Sequence, residues 1–174
     1  NQENTIQASY NDEVNLSEDD SAKLAISNDK TLGTGTDYTF QDIQYAIDAD
    51  ESTIYLKPGT YTGDHRISIS QKSNIKIIGN STILDAQDQT QIFHITESSN
   101  ITIQNIIFKN GHYELSNGGA ISVHDSCRDC SISNCTFINN TAGWNGGAIR
   151  WSTFCVNGRV SNCTFIHNHA EWNG

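Results

Sequence analysis

A set of motifs recurs along this chain at a near-constant spacing of about 28 residues, and an internal period of that size narrows the available folds more than any other feature. Cys135-Thr136-Phe137-Ile138-Asn139-Asn140 leads into Ala142-Gly143-Trp144-Asn145-Gly146-Gly147-Ala148-Ile149. Phe165-Ile166-His167-Asn168 repeats Phe137 to Asn140, and Ala170-Glu171-Trp172-Asn173-Gly174 repeats Ala142 to Gly146. Upstream, Asn117-Gly118-Gly119-Ala120-Ile121 matches Asn145 to Ile149 at the same spacing. Ser73-Asn74-Ile75-Lys76-Ile77 is echoed at Ser99-Asn100-Ile101-Thr102-Ile103, a slightly shorter step. Such a period marks a solenoid, in which each repeat buries its apolar face only against its neighbours.

The residues between the motifs say which solenoid. From Ile67 the chain is a series of short alternating runs, among them Ile67-Ser68-Ile69, Ile92-Phe93-His94-Ile95 and Ile106-Ile107-Phe108. Period-two alternation over three to five residues indicates half-buried strands. A coil of roughly 26–28 residues accommodates three such strands and three turns. Asn105, Asn134 and Asn162 precede the equivalent residues Ile106, Cys135 and Cys163, and Asn at turns tolerates left-handed backbone and can stack between coils. Gly118-Gly119 and Gly146-Gly147 supply positive φ or close approach. Ile121 and Val123 match Ile149 and Trp151 as one face, read as the interior.

A coil stack has open ends, and the first needs a cover. Phe40, Ile43, Ala46 and Ile47 fall at helical spacing, with Thr39 or Asp37 as N-cap. One short amphipathic helix there would cover the first coil's core and strand edges. Thr53-Ile54-Tyr55-Leu56-Lys57 follows as a strand, and Pro58-Gly59 turns the chain. Residues 1–30 are polar and acidic without sustained period, and read as a leader or linker with too little apolar surface to repay ordering. Within them, the Leu24-Ala25-Ile26 island would add a short strand at the edge of the fold. The expected division is 1–30 leader, 31–66 cap and first coil, and 67–174 coils. Gly174 falls where the repeat calls for more, so the array is expected to stop mid-repeat.

A net charge of −10 with only ten basic residues argues against nucleic acid, which needs clustered Lys and Arg. No run of about 18 apolar residues offers a membrane span.

The five cysteines follow the same period. Cys127 and Cys155 are one period apart, as are Cys135 and Cys163, so each pair should stack on adjacent coils. Strands ~4.8 Å apart permit a disulfide, and a column of stacked thiols packs equally well. Both readings stand. Cys130 makes a CxxC with Cys127, but no second CxxC or His pair completes a zinc site.

The paired motif resembles a known one. Gly-Gly-Ala-Ile at 118–121 and 146–149, alternating with Phe-x-x-Asn at 137–140 and 165–168, resembles the repeat of chlamydial polymorphic outer-membrane proteins. It is also similar to large adhesin-like surface proteins of methanogenic archaea. Residues 53–62 resemble the first coils of pectate-lyase-like right-handed β-helices. Together the resemblances span roughly residues 38–174. Two departures stand out: Gly111 occupies the place of the motif Asn, and the segment after it is one residue longer, so that coil should bulge around His112-Tyr113-Glu114-Leu115. The resemblance implies a secreted, cell-surface adhesin.

Candidate chemistry is sparse. Glycoside hydrolysis needs two opposed carboxylates; Asp85 with Asp88, and Asp125 with Asp129, are the available sets, and turn carboxylates explain them as well. His167-x-His169 puts two imidazoles on one side of a strand without a third metal ligand. His94, His112 and His124 have no evident Ser or Cys partner. Trp144 and Trp172, with Tyr113 corresponding loosely, lie before the Gly pair and either form a binding strip or fold over their own turns. Six sequons, such as Asn134-Cys135-Thr136 and Asn162-Cys163-Thr164, read equally as glycan sites or turn asparagines.

The sequence therefore predicts an all-β, right-handed parallel β-helix with a short N-terminal capping helix. The resemblance implies a non-enzymatic adhesin-like surface whose partners are other cells, surface glycans or proteins, with self-association open and no cofactor or metal. The alternatives are a polysaccharide lyase or hydrolase on the same scaffold, and a structural envelope component.

Overall fold

The computed structural model describes residues 5–7, 13–15, 38–114 and 116–173. Most of the expected leader, including Leu24-Ala25-Ile26, lies outside these residues. Within it, β1 (Thr5–Gln7) and β2 (Glu13–Asn15) form an antiparallel pair with Ile6 in register with Val14. That pair was not anticipated; each segment is a short run centred on a β-branched residue, too brief to register as a period.

The helix expected at the start of the array is α1 (Phe40–Asp48). Thr39 is its N-cap: the Oγ1 accepts from the Asp42 backbone N–H at 3.3 Å, and the Asp42 carboxylate accepts from the Thr39 N–H at 2.9 Å. This reciprocal capping box satisfies two donors that would otherwise be orphaned. Phe40, Ile43 and Ile47 are buried against the first coil, so the helix shields apolar surface that a bare coil would expose.

Below the cap the chain is a parallel β-solenoid of about four turns. Its largest face is a nine-stranded sheet. It contains β3 (Tyr38–Thr39), β4 (Thr53–Leu56), β5 (Gly59–Thr62), β7 (Lys76–Asp85), β9 (Thr102–Lys109), β12 (Ser131–Ser133), β13 (Thr136–Ile138), β16 (Arg159–Ser161) and β17 (Thr164–Ile166). The second face stacks β6 (Ile67–Ser70), β8 (Phe93–Thr96), β11 (Ile121–His124) and β15 (Ile149–Trp151); the third stacks β10 (His112–Tyr113), β14 (Thr141–Ala142) and β18 (His169–Ala170). Strands β7 and β9 run through a bend that divides β4 from β5, β12 from β13 and β16 from β17. At the bend the buried Thr82 hydroxyl reaches the carbonyls of Leu56 and Lys57 at 3.2 and 3.0 Å, so a polar side chain holds the bend together.

Register confirms the period and refines it. Ile121 pairs with Ile149 and Val123 with Trp151, the step expected from the motifs. Earlier coils are shorter: Thr53 pairs with Lys76, the shortest of these steps, and Ile67 pairs with Phe93. The step from Thr102 to Ser131 is slightly longer than the motif spacing. Tyr113 pairs with Ala142 whereas the Asn117 amide bonds that of Asn145, so the extra residue lies between 113 and 117, inside the bulge anticipated there.

Inside the stack, identical positions form columns. Phe108, Phe137 and Phe165 stack with centroids 4.8 and 5.0 Å apart and rings within 8° of parallel. Corners are turned by asparagines in the left-handed region: Asn105, Asn134 and Asn162 have φ of 60°, 53° and 52°. The side-chain ladders form elsewhere, through Asn117, Asn145 and Asn173 (2.7 and 2.8 Å) and through Asn140 and Asn168 (2.8 Å).

Candidate binding surface

The Phe-x-x-Asn motif explains itself in the coil stack. Asn140 is fully buried, and its amide donates to the Phe108 carbonyl at 3.2 Å while accepting from the Gly111 N–H at 2.8 Å. Asn168 does the same one coil on, donating to the Phe137 carbonyl at 3.0 Å and accepting from the Asn140 N–H at 3.0 Å. Each motif Asn thus clips its coil to the one before, because a primary amide offers donor and acceptor together. Gly111 departs from the motif for a steric reason: a Cβ there would lie 2.4 Å from the Gly119 carbonyl oxygen. Gly118 and Gly146 hold φ of 70° and 64° at the equivalent corner, conformations that suit glycine. Ala120 and Ala148 then re-enter the core.

Beside that corner the indoles of Trp144 and Trp172 stack at 6.2 Å with 27° between planes. They are 47% and 73% exposed, so the pair forms an outward aromatic strip. Tyr113 is not the third member. Its register partner is Ala142, and it faces Arg66 instead, whose guanidinium carbon is 5.8 Å from the ring centroid and whose Nη1 donates to the phenol oxygen at 3.4 Å.

Arg66 lies where two shallow depressions meet, of about 390 and 290 Å³. One runs under the cap beside Asp64 and Gln87; the other runs along Gln89, Gln91, His112 and Glu114. Amides, hydroxyls, one guanidinium and the Asp64 and Glu114 carboxylates suit a neutral polar ligand. The contact between Arg66 and Tyr113 is far apart in sequence and follows no period, so nothing in the sequence pointed to it.

The remaining candidates are held by the turns. Asp85 caps the Gln87 N–H at 2.9 Å, accepts from the Asn110 amide at 2.9 Å and faces Lys109 Nζ at 3.6 Å. Asp125 and Asp129 are left-handed turn residues at a different corner, after β11, so the two acidic sets do not converge. His167 also sits in a left-handed turn, with φ of 52°. It is therefore not in a strand with His169, and the expected shared side does not exist. His94 and His124, which sequence spacing left unpaired, meet on the outer surface of the second sheet.

The five thiols are unbridged in the structure. Cys127 and Cys155 flank the Arg128–Val156 bridge, and Cys135 and Cys163 flank the Thr136–Thr164 pairing, so both pairs lie in register on adjacent coils. Burial pushes the Cys127 thiol up to about 11 and Cys135 to about 12. Such groups are poor nucleophiles at neutral pH because the thiolate is the reactive form.

Comparison with known families points to the stretch just described. Residues 134–150 match the Chlamydia polymorphic membrane protein repeat. The chain carries that repeat. The match runs from the left-handed Asn134, through the Phe137 stack, the Asn140 clip and the Trp144 corner, into β15. In this chain the matched stretch is thus two sides of one coil together with the residues that fasten it to its neighbours. Neither a curated protein nor a solved structure matches the chain. No helix among the described residues is long and apolar enough to cross a membrane.

Proposed function

We propose that this chain is a non-enzymatic, adhesin-like segment displayed outside the cell, a stiff coil stack that presents binding edges to glycans or proteins on other surfaces. The observation that carries this reading is the polymorphic membrane protein repeat at 134–150, built into a continuous parallel solenoid. Such a stack holds turn loops and corner side chains at fixed spacing, so weak contacts repeated along it can sum to useful avidity. The surfaces assigned to binding are the Trp144–Trp172 strip and the groove where Arg66 crosses Tyr113. A sugar ring can lie on the exposed indole faces, while the guanidinium and the glutamine amides supply directed hydrogen bonds.

A glycan-array and cell-binding screen tests the proposal. Binding that falls at least tenfold in Trp144→Ala with Trp172→Ala, or in Arg66→Ala, supports it. Depolymerisation of an acidic polysaccharide by this chain would instead favour a lyase or hydrolase. Ordered lateral assembly without any ligand would favour a structural envelope component.

A further inference from the structure

The outer surface of the second sheet carries a contact that the binding reading does not use. Phe93, Ile95, Ile121 and Val123 point into the core, so the alternate residues His94, Ser122 and His124 point outward. His94 is in register with Ser122, and His124 lies two residues further along β11. The two imidazoles are diagonal neighbours, with Nε2 atoms 3.2 Å apart.

Their other nitrogens are both committed as donors. The Gln91 side chain is buried, and its amide nitrogen donates to the Asn117 carbonyl at 3.0 Å and to the Gly118 carbonyl. With both amide hydrogens committed, the Gln91 oxygen faces His94 Nδ1 at 3.3 Å. That oxygen only accepts, so His94 Nδ1 is the N–H. On the other ring, the Asp125 carboxylate lies 2.7 Å from His124 Nδ1 and fixes the same tautomer. Each ring therefore keeps its Nε2 for the gap between them; the rings meet edge to face, 72° apart with centroids at 4.5 Å, and a shared cation, proton or metal, can hold the two nitrogens at that spacing.

We propose that His94 and His124 form a two-imidazole site for a divalent transition-metal cation of the Zn²⁺, Ni²⁺ and Cu²⁺ class. Imidazole nitrogens bind Zn²⁺ at roughly 2.0–2.1 Å, which at right-angled to tetrahedral geometry separates two of them by about 2.9–3.4 Å. The observed spacing falls in that interval. Gln91 and Asp125 hold the Nδ1–H groups as outer partners commonly do for metal-bound histidines. Arg66 opposes a cation here and Asp125 favours one. Among the described residues no third His, Cys, Asp or Glu completes the set, so water fills the remaining positions and exchange is fast. The sequence hides this pair because its spacing does not match the repeat period.

Calorimetric titration of the full chain with Zn²⁺ and Ni²⁺, thiols alkylated beforehand, tests the site. One equivalent should bind, weakening at least tenfold in His94→Ala and in His124→Ala, and about 10–100-fold in Asp125→Asn. His167→Ala with His169→Ala should leave binding unchanged. In the unsubstituted chain, ring resonances of His94 and His124 should shift together as metal is added, which needs no folded variant. Absence of binding, binding lost only with His167 and His169, or a shared proton with no metal uptake would each overturn the proposal.

Discussion

Phe137 and Phe165 occupy the same place in consecutive coils, in the same motif and the same strand register. Phe137 is wholly buried, yet Phe165 is 51% exposed. Asn140 and Asn168 repeat the contrast, buried against partly buried. At the opposite end, Phe40, Ile43 and Ile47 of α1 are buried although they belong to no coil. The difference lies in the neighbour and not in the residue. Each coil obtains its core from the coils on either side, and the helix supplies that covering for the first described coil. This is the nearest-neighbour logic of solenoid stability.

The comparison can be broken most directly at the phenylalanine column. Phe137→Ala should cost about 3–5 kcal/mol, the range for removing a buried aromatic, and Phe165→Ala about 1 kcal/mol, because half its surface is already wet. Denaturant melts of the two variants measure the gap; equal losses would refute neighbour-supplied burial. Phe40→Ala in the cap should resemble Phe137→Ala.

The asparagine clips give the next largest effect. Asn140→Ala leaves the Gly111 N–H and the Phe108 carbonyl without their side-chain partner, at about 1–3 kcal/mol for each buried group left unsatisfied. Asn168→Ala should cost less than half as much in the same melts. Thr39→Ala removes the N-cap of α1 and should cost about 1 kcal/mol, read as an earlier loss of the helical signal on heating. The smallest effect is chemical. Timed alkylation followed by mass spectrometry should label the half-buried Cys155 and Cys163 before Cys127 and Cys135, whose thiols are buried and pushed up to about 11 and 12.

Much of this architecture is legible in the sequence, for a definable reason. A side chain that stacks on its own copy must recur at the coil length, so the phenylalanine column, the asparagine clips and the glycine corners leave a period. The cap is legible because helical spacing replaces strand alternation over Phe40 to Ile47. Contacts made across the stack leave no such trace. Arg66 meets Tyr113 because the corner before β6 lies near β10 of a later coil, and His94 meets His124 on a diagonal. The shorter first coil, from Thr53 to Lys76, also leaves no trace at the period of the later motifs. His167 departs from the expected strand for a related reason, since the chain turns at that residue and breaks the alternation.

Residue-resolved native-state hydrogen exchange tests neighbour-supplied burial most directly. In this 174-residue chain protection should be greatest in β7, β8 and β9, which have coils on both sides, remain high under α1, and be lower in β16 to β18, each paired on one side only among the described residues. Uniform protection across all coils, or protection of β17 equal to that of β13, would contradict it.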